Sequence, residues 1–333
     1  MALHAIDDVG DAIDATRAFL FPFDLRRWLK LALVAFFVGG GLNTPSGQFG
    51  GSGGPSGSPG PGGGGELPAS LPSLPVEAMT LIAVAVAVVV LLALVFGIVG
   101  SVMEFVFIES LRNDAVRVRQ YWSDRWRQGL RLFGFRVVIG LPLLALVVGW
   151  MALFVLPMVT NVQQPAFSAG VFLFGLPVLL LAGLVFAVIN AFTTFFVVPL
   201  MIQRDSGVLA GWRRLWPSMK REWKQYGAFA VFLLVLSLVV GFITSIAVGL
   251  VAVVVLIPFA IIGAIVYVAL SLSTTGTVLL GLLAAGFALT MLVVWALVQV
   301  PVVAYFRYYA LLVLGDIDSS FDIIPDQRAA VRE

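Results

Sequence analysis

Glu104 and Glu109 are the carboxylates nearest to the interior of any apolar stretch in this sequence, and Arg112 follows Glu109 by one helical turn. A carboxylate inside a membrane helix marks an ion pathway by default, because an isolated charge is costly there. Neither residue lies well inside an apolar run. The neighbouring arginine favours a structural ion pair at the membrane interface, with a proton-coupling carboxylate as the sharper alternative. The uncharged polar groups within apolar sequence are Asn190 with Thr193 and Thr194, Gln299 ahead of Pro301, and Thr244 with Ser245. Buried amides of this kind hydrogen-bond to a neighbouring helix, contributing about 0.6 kcal/mol each, or they line a solute cavity.

Much chemistry is excluded. There is no cysteine, which removes disulfides, thiolate metal sites and cysteine nucleophiles, and His4 is the only histidine. No paired-carboxylate site, nucleophile with its base or metal cluster can be assembled. We therefore expect no catalytic residue, no metal and no cofactor, and a protein that is not an enzyme. The basic loops contain tryptophan, but they are short and flank apolar helices, so nucleic acid is not an expected partner.

The elements that carry these residues follow from where charge is missing. Of 333 residues, 60% are hydrophobic and 11% charged, against about 25% charged in an ordinary soluble domain. Val137 to Gln203 (67 residues) and Gly227 to Phe306 (80 residues) contain no ionisable Asp, Glu, Lys, Arg or His, and neither does Ala78 to Met103 (26 residues). About 20 apolar residues cross a hydrocarbon core. The 26-residue run is one crossing. The 67-residue run is two, broken at Thr160 to Pro165. The longest run turns at Ser271 to Gly276; before that turn it is either one long helix with a re-entrant piece near Pro258 or two crossings broken between Gly241 and Gly249. Trp28 to Leu42 is short, and we count it as a crossing extended by its flanks. The expected fold is all-α: a polytopic transmembrane bundle of about six helices, arranged as three repeated hairpins with interfacial amphipathic helices.

All 20 basic residues fall within Arg17 to Lys30, Arg112 to Arg136, Arg204 to Lys224 and Arg307 to Arg332. Basic residues in short loops favour the cytoplasmic side, which requires an even number of crossings between blocks and puts both termini inside. The expected layout is a cytoplasmic amphipathic segment over 1–27, a transmembrane domain over 28–315 and an acidic cytoplasmic tail over 316–333. Ile6, Val9, Ile13 and Leu20 form the apolar stripe of the first segment. Residues 43–75, rich in Gly, Pro and Ser, form a disordered outer loop by composition. No cleavable signal sequence is visible, since Asp7, Asp8, Asp11 and Asp14 stand where one is basic. The two tails are net acidic, the segments 104–136 and 203–226 net basic, and we expect the tails to pack over those segments.

A pattern recurs three times. DLRRWLK, SDRWRQG and KREWKQY each lead into an apolar run, with Trp28, Trp126 and Trp223 at matching places 98 and 97 residues apart. The return helices end alike, in EFVFIESLRND, FVVPLMIQRD and RYYALLVLGD. This is a repeat of one hairpin per unit. Trp28, Lys30, Trp122, Trp126, Arg127, Trp216, Trp223 and Lys224 suit the headgroup level, the rings half apolar and the cations reaching phosphates. Their alternative is a specific lipid-headgroup site. Membrane lipids, and possible fellow membrane proteins, are the expected partners.

The segments MEFVFIESLRNDAVRVRQYWSDRWRQGLRLFGF and FFVVPLMIQRDSGVLAGWRRLWPSMKREWKQYGAF resemble signature stretches of a family of uncharacterised haloarchaeal multi-pass membrane proteins. The resemblance spans nearly the whole chain outside the Gly/Pro/Ser loop. More distantly, hairpins led by basic-aromatic segments are similar to the membrane domain attached to some glycerophosphodiester phosphodiesterases, whose catalytic domain has no counterpart here. The family has no established activity, so the resemblance gives no residue a catalytic role. A high-salt source fits 17 Arg against 3 Lys, although GC-rich codon usage gives the same bias. Three functions stand in order: a non-catalytic membrane module that organises lipids or partner proteins, a transporter or channel for a neutral or lipid-like solute, and, least supported because no reactive constellation exists, an enzyme of lipid metabolism.

Overall fold

The computed structural model describes residues 4–39, 76–159, 165–271 and 273–332. Its helices are α1 (His4–Leu20), α2 (Leu25–Gly39), α3 (Val76–Arg112), α4 (Val118–Val159), α5 (Pro165–Phe192), α6 (Val198–Arg204), α7 (Val208–Arg221), α8 (Trp223–Leu270), α9 (Thr274–Ile317) and α10 (Pro325–Arg332). A π turn, Thr193–Val197, joins α5 to α6, and a 3-10 turn, Ser319–Phe321, follows α9. No strand occurs among the described residues. The protein is an all-α polytopic membrane bundle.

Five segments are long and apolar enough to cross a membrane: Thr80–Arg112, Val118–Leu153, Gly170–Arg204, Trp223–Leu270 and Thr274–Ile317. The sixth expected crossing is represented by α2. Its 15 residues rise about 22 Å, short of a hydrocarbon core of about 30 Å, and its expected continuation to Leu42 lies outside the described residues. So does the Gly/Pro/Ser loop over 43–75. The 80-residue uncharged run forms one 48-residue helix up to Ser271, running unbroken through Gly241, Gly249 and Pro258. A break in lipid would leave backbone groups without partners, so the helix continues and tolerates its proline. At the turn, Ser271 is left-handed (φ 51°) and the Ser273 hydroxyl accepts from the Gly276 N–H at 3.2 Å, capping α9.

The helices pair in chain order: α2 with α3, α4 with α5, α8 with α9. Further packing of α3 on α4 and of α2 on α9 joins the three hairpins into the series α5–α4–α3–α2–α9–α8. Two glycines permit close contacts between α3 and its neighbours. A Cβ on Gly129 of α4 would collide with Val102 of α3, and one on Gly100 would lie 3.1 Å from the Phe37 carbonyl oxygen of α2.

The core sits at one end. Residues 100–111, 192–202 and 306–315 are buried on every side. These are the ends of the three return helices, which the other elements enclose. Farther along these helices and their hairpin partners, leucines such as Leu91, Leu144, Leu180, Leu250 and Leu282 are exposed, as lipid-facing surfaces require.

The first segment follows its expected stripe in part. α1 packs along α9 and α10, and Leu20 is buried and Val9 packs against the core, whereas Ile13 is 55% exposed and Asp8, Ala12, Ala15 and Phe19 are buried. The small alanines allow close approach, and Asp8 finds a cation in the C-terminal tail, so the buried face is turned away from Ile13. The middle basic-aromatic block also differs from the expected separate interfacial helix. It forms the first turns of a continuous α4, because no proline interrupts 118–136 and α3 supports it at Gly129.

Candidate functional site

The polar end of the bundle is closed by ion pairs between successive basic blocks. Arg27 at the foot of α2 donates to Asp114 beyond α3 at 2.5 Å. Arg125 near the foot of α4 pairs with Asp205 beyond α6. Arg221, at the end of α7 and next to the foot of α8, lies 3.7 Å from Asp318 beyond α9. In each unit an arginine one or two places before the repeated tryptophan reaches an aspartate that ends or follows the return helix. Asp114 and Asp205 both adopt the left-handed conformation there (φ 46° and 49°). Arg332 of the tail then donates to Asp8 at 2.8 Å and to Asp11 at 2.9 Å, which brings the two ends of the described chain together.

The second clasp goes deepest. Arg125 also grips Glu109 through Nε at 3.0 Å and a terminal nitrogen at 2.7 Å, while Glu109 accepts from Asn113. An open cleft of about 430 Å³ lies beside this pair, lined by Glu109, Asn113, Arg117, Asp124 and Arg125 among others.

Inside the core is a second set of charges. Glu104 of α3 is wholly buried and accepts from Arg307 of α9 through Oε2 and from Arg136 of α4 through Oε1, the latter at 3.4 Å. Arg136 also donates to the Ser101 hydroxyl at 3.2 Å and the Thr194 hydroxyl at 2.8 Å. Arg307 donates to the Thr194 carbonyl at 2.7 Å, with its guanidinium over the Phe195 ring. The local sequence explains this acceptor. Val198 N–H bonds Thr193 O, the i→i−5 spacing of a π turn. Pro199 has no N–H to offer next, so the Thr194 carbonyl is left for a side chain.

The arrangement ties three hairpins together: α3 supplies Glu104, α4 Arg136, the π turn Thr194 and α9 Arg307. Two guanidiniums share one carboxylate, so the node carries a net positive charge that carbonyl, hydroxyl and ring partners disperse. Sequence reasoning singled out Glu104 but expected an interfacial pair near Arg112 and linked it with neither Arg136 nor Arg307. The available signals were Pro199 after Thr193-Thr194, and an arginine at 307 between aromatic residues.

The predicted intramembrane polar residues are all buried: Asn190 and Thr193 lie on the chain just ahead of Thr194, and Gln299 lies eight residues before Arg307 on α9. Asn190, Thr193 and Gln299 are 2%, 0% and 8% exposed. Thr193 accepts from the Trp212 indole N–H at 3.1 Å, and Gln299 packs beside Gly39. The predicted interfacial set is spread around the polar end. Trp28 is half-buried and donates to the Leu20 carbonyl at 3.3 Å; Trp122 is half-buried, and Lys30 and Arg127 are exposed. Trp126, Trp216 and Trp223 are exposed, each with a neighbouring cation over its ring: Arg127, Lys220 and Lys224 respectively.

Charges outside the spans respond to these surroundings. Burial, reinforced by Asp316 nearby, pushes the Asp8 carboxyl up to about 7. The Asp318 carboxyl lies below its usual range, chiefly because it accepts from Ser320. Of the two expected tail contacts, the C-terminal one forms: Arg214 and Gln203 both donate to the Ser320 carbonyl, at 3.2 and 3.0 Å. Among the described residues, no three His, Cys, Asp or Glu side chains gather as metal ligands.

A family model described as a family of unknown function, DUF7544, matches residues 3–324. The chain belongs to that family. No significant match is found among curated proteins or solved structures. The family match covers all three hairpins, the first helix and the ion pairs of Arg27, Arg125 and Arg221, and it ends before the last helix, which carries Arg332.

Proposed function

We propose that the protein is a non-catalytic membrane module that organises lipids or partner proteins around three hairpins fixed at one end. The observation that carries this reading is the distribution of packing. The polar end is closed by Glu104, Arg136, Arg307 and Thr194, whereas the apolar lengths beyond it present Leu91, Leu144, Leu180 and Leu250 outward. A solute path would use Asn190, Thr193 or Gln299. All three are buried in packed surroundings, and neither the cleft at Glu109 nor a second one at Lys30 includes them.

We place the polar end, and with it both termini, on the cytoplasmic side of the cell membrane. The gathering of all four basic blocks at that end supports this, because basic loops favour that side. The haloarchaeal affinity of the sequence remains part of the same reading. The test is native mass spectrometry of the intact protein released from lipid nanodiscs. Retained lipid, or a reproducible protein partner, that persists in Asn190→Ala and Gln299→Ala is the expected result. A bound solute lost in either variant overturns the reading in favour of transport. A cysteine placed at Ser273 tests orientation independently and should react with an impermeant maleimide from outside intact cells; labelling only after lysis refutes it.

A further inference from the structure

A cleft of about 850 Å³ opens between the middle of α2, the end of α3 and the start of α4. Its polar rim holds Lys30, Arg117 and Arg119, and its apolar side holds Leu33, Met103 and Val116, with Trp122 at the boundary. No carboxylate is among the lining residues. None of the three cations pairs with a carboxylate of the described residues, unlike Arg27 and Arg125 close by. The local backbone adds to the imbalance. Arg117 and Arg119 stand at the N-terminal end of the 42-residue α4, whose first turn has no acidic residue. The positive end of a helix favours an anion, and here two arginines reinforce it where acids are usual.

We propose that this cleft binds one anionic phospholipid, its phosphate held by Lys30, Arg117 and Arg119. One acyl chain lies along Leu33 and Met103. The shape decides between a lipid and a free anion. The three cations are exposed at the rim, while the floor is apolar and Leu33, half exposed on α2, continues it along the helix toward the apolar end. A free phosphate has no use for that side of the cleft. Trp122, half-buried and next to the cations, sits where an indole meets the headgroup and the start of the chains. The proposal rests on the lipid-organising function and assigns it a specific ligand and place. Among the interfacial candidates it separates Lys30 and Trp122, which line the cleft, from Trp126, Trp216 and Trp223, which serve as general anchors.

The experiment uses the full-length protein in nanodiscs of phosphatidylcholine with a minor fraction of phosphatidylglycerol, read by native mass spectrometry. Wild type should retain one phosphatidylglycerol in preference to phosphatidylcholine. Arg117→Gln with Arg119→Gln should weaken that retention roughly thirtyfold, since each surface cation contributes about fivefold. Arg204→Gln with Arg213→Gln, which removes the same charge from two exposed positions elsewhere at the polar end, should leave it intact. Equal loss in both pairs overturns the site but leaves general lipid organisation standing. Absence of preferred lipid in wild type overturns both. Inorganic phosphate competing the lipid away at low millimolar concentration would show a free-anion site and overturn the lipid assignment. If the arginine pair does not fold, Lys30→Gln with Leu33→Asp reads the same cleft from α2.

Discussion

The guanidinium of Arg307 donates at 2.7 Å to the backbone carbonyl of Thr194, 113 residues away, which Pro199 has deprived of a helical partner. A proline in one hairpin thus creates the acceptor for a cation in another. Replacing Pro199 with alanine restores an N–H at that position and gives the carbonyl a local donor. The expected result is coupling between sites: Arg307→Met costs less in a Pro199→Ala background than in wild type, by about 1–2 kcal/mol. Thermal unfolding in lipid of the two single variants and the double variant checks this. Additive costs would show that the proline and the arginine act independently.

Among the described residues, Glu104 is the one carboxylate paired with Arg136 and Arg307 in the core. Glu104→Gln leaves two buried guanidiniums uncompensated and should destabilise by about 3–5 kcal/mol. Glu104→Gln combined with Arg307→Met should recover part of this loss, because one of the two unpaired cations is removed. A double variant no more stable than Glu104→Gln would place the cost in lost packing rather than charge.

The three polar-end clasps differ in burial, and their contributions should differ accordingly. Arg27–Asp114 is open to water at the aspartate, which is 65% exposed, so Arg27→Ala should cost about 1 kcal/mol or less and fade with salt. Arg125 also serves Glu109, whose side chain is 7% exposed, so Arg125→Ala should cost about 2–3 kcal/mol by leaving a buried carboxylate unpaired. Unfolding midpoints at low and high salt separate the two. Equal, salt-sensitive costs would mean that Arg125 acts only through its exposed partner Asp205.

The hairpins were legible because local sequence dictates them. Uncharged runs set the long helices, and the spacing of Trp28, Trp126 and Trp223 set the repeat. The clasps were half-legible: matching blocks held Arg27, Arg125 and Arg221, but their aspartate partners stand 80 or more residues away. The node was not legible. Glu104 meets Arg307 across 203 positions, and its acceptor geometry depends on a π turn that no hydropathy pattern marks. The packing of α1 was half-legible. Of its expected stripe of Ile6, Val9, Ile13 and Leu20, Val9 and Leu20 do meet the core while Ile13 is exposed, because the buried face is centred on Asp8, Ala12, Ala15 and Phe19, and Asp8 meets Arg332 from across the chain.

That ion pair makes the docking of α1 sensitive to pH. Asp8 faces Asp316 and Arg332, with Asp11 and Tyr309 nearby, and its carboxyl is raised to about 7 in the docked state by burial first and by Asp316 second. An undocked aspartate titrates near 3.8. Below about 4 the group is protonated in both states and contributes no pH dependence. Between about 4 and 7 the docked state holds a proton that the undocked state has released, so docking weakens as pH rises and levels off above 7. Hydrogen exchange of the α1 amides, corrected for intrinsic rates, should therefore show more opening at pH 8 than at pH 5. Asp8→Asn should flatten the difference, because it keeps the neutral form at every pH. Exchange that instead slows toward pH 8 in wild type would mean that the charged pair with Arg332 dominates over burial and the repulsion of Asp316.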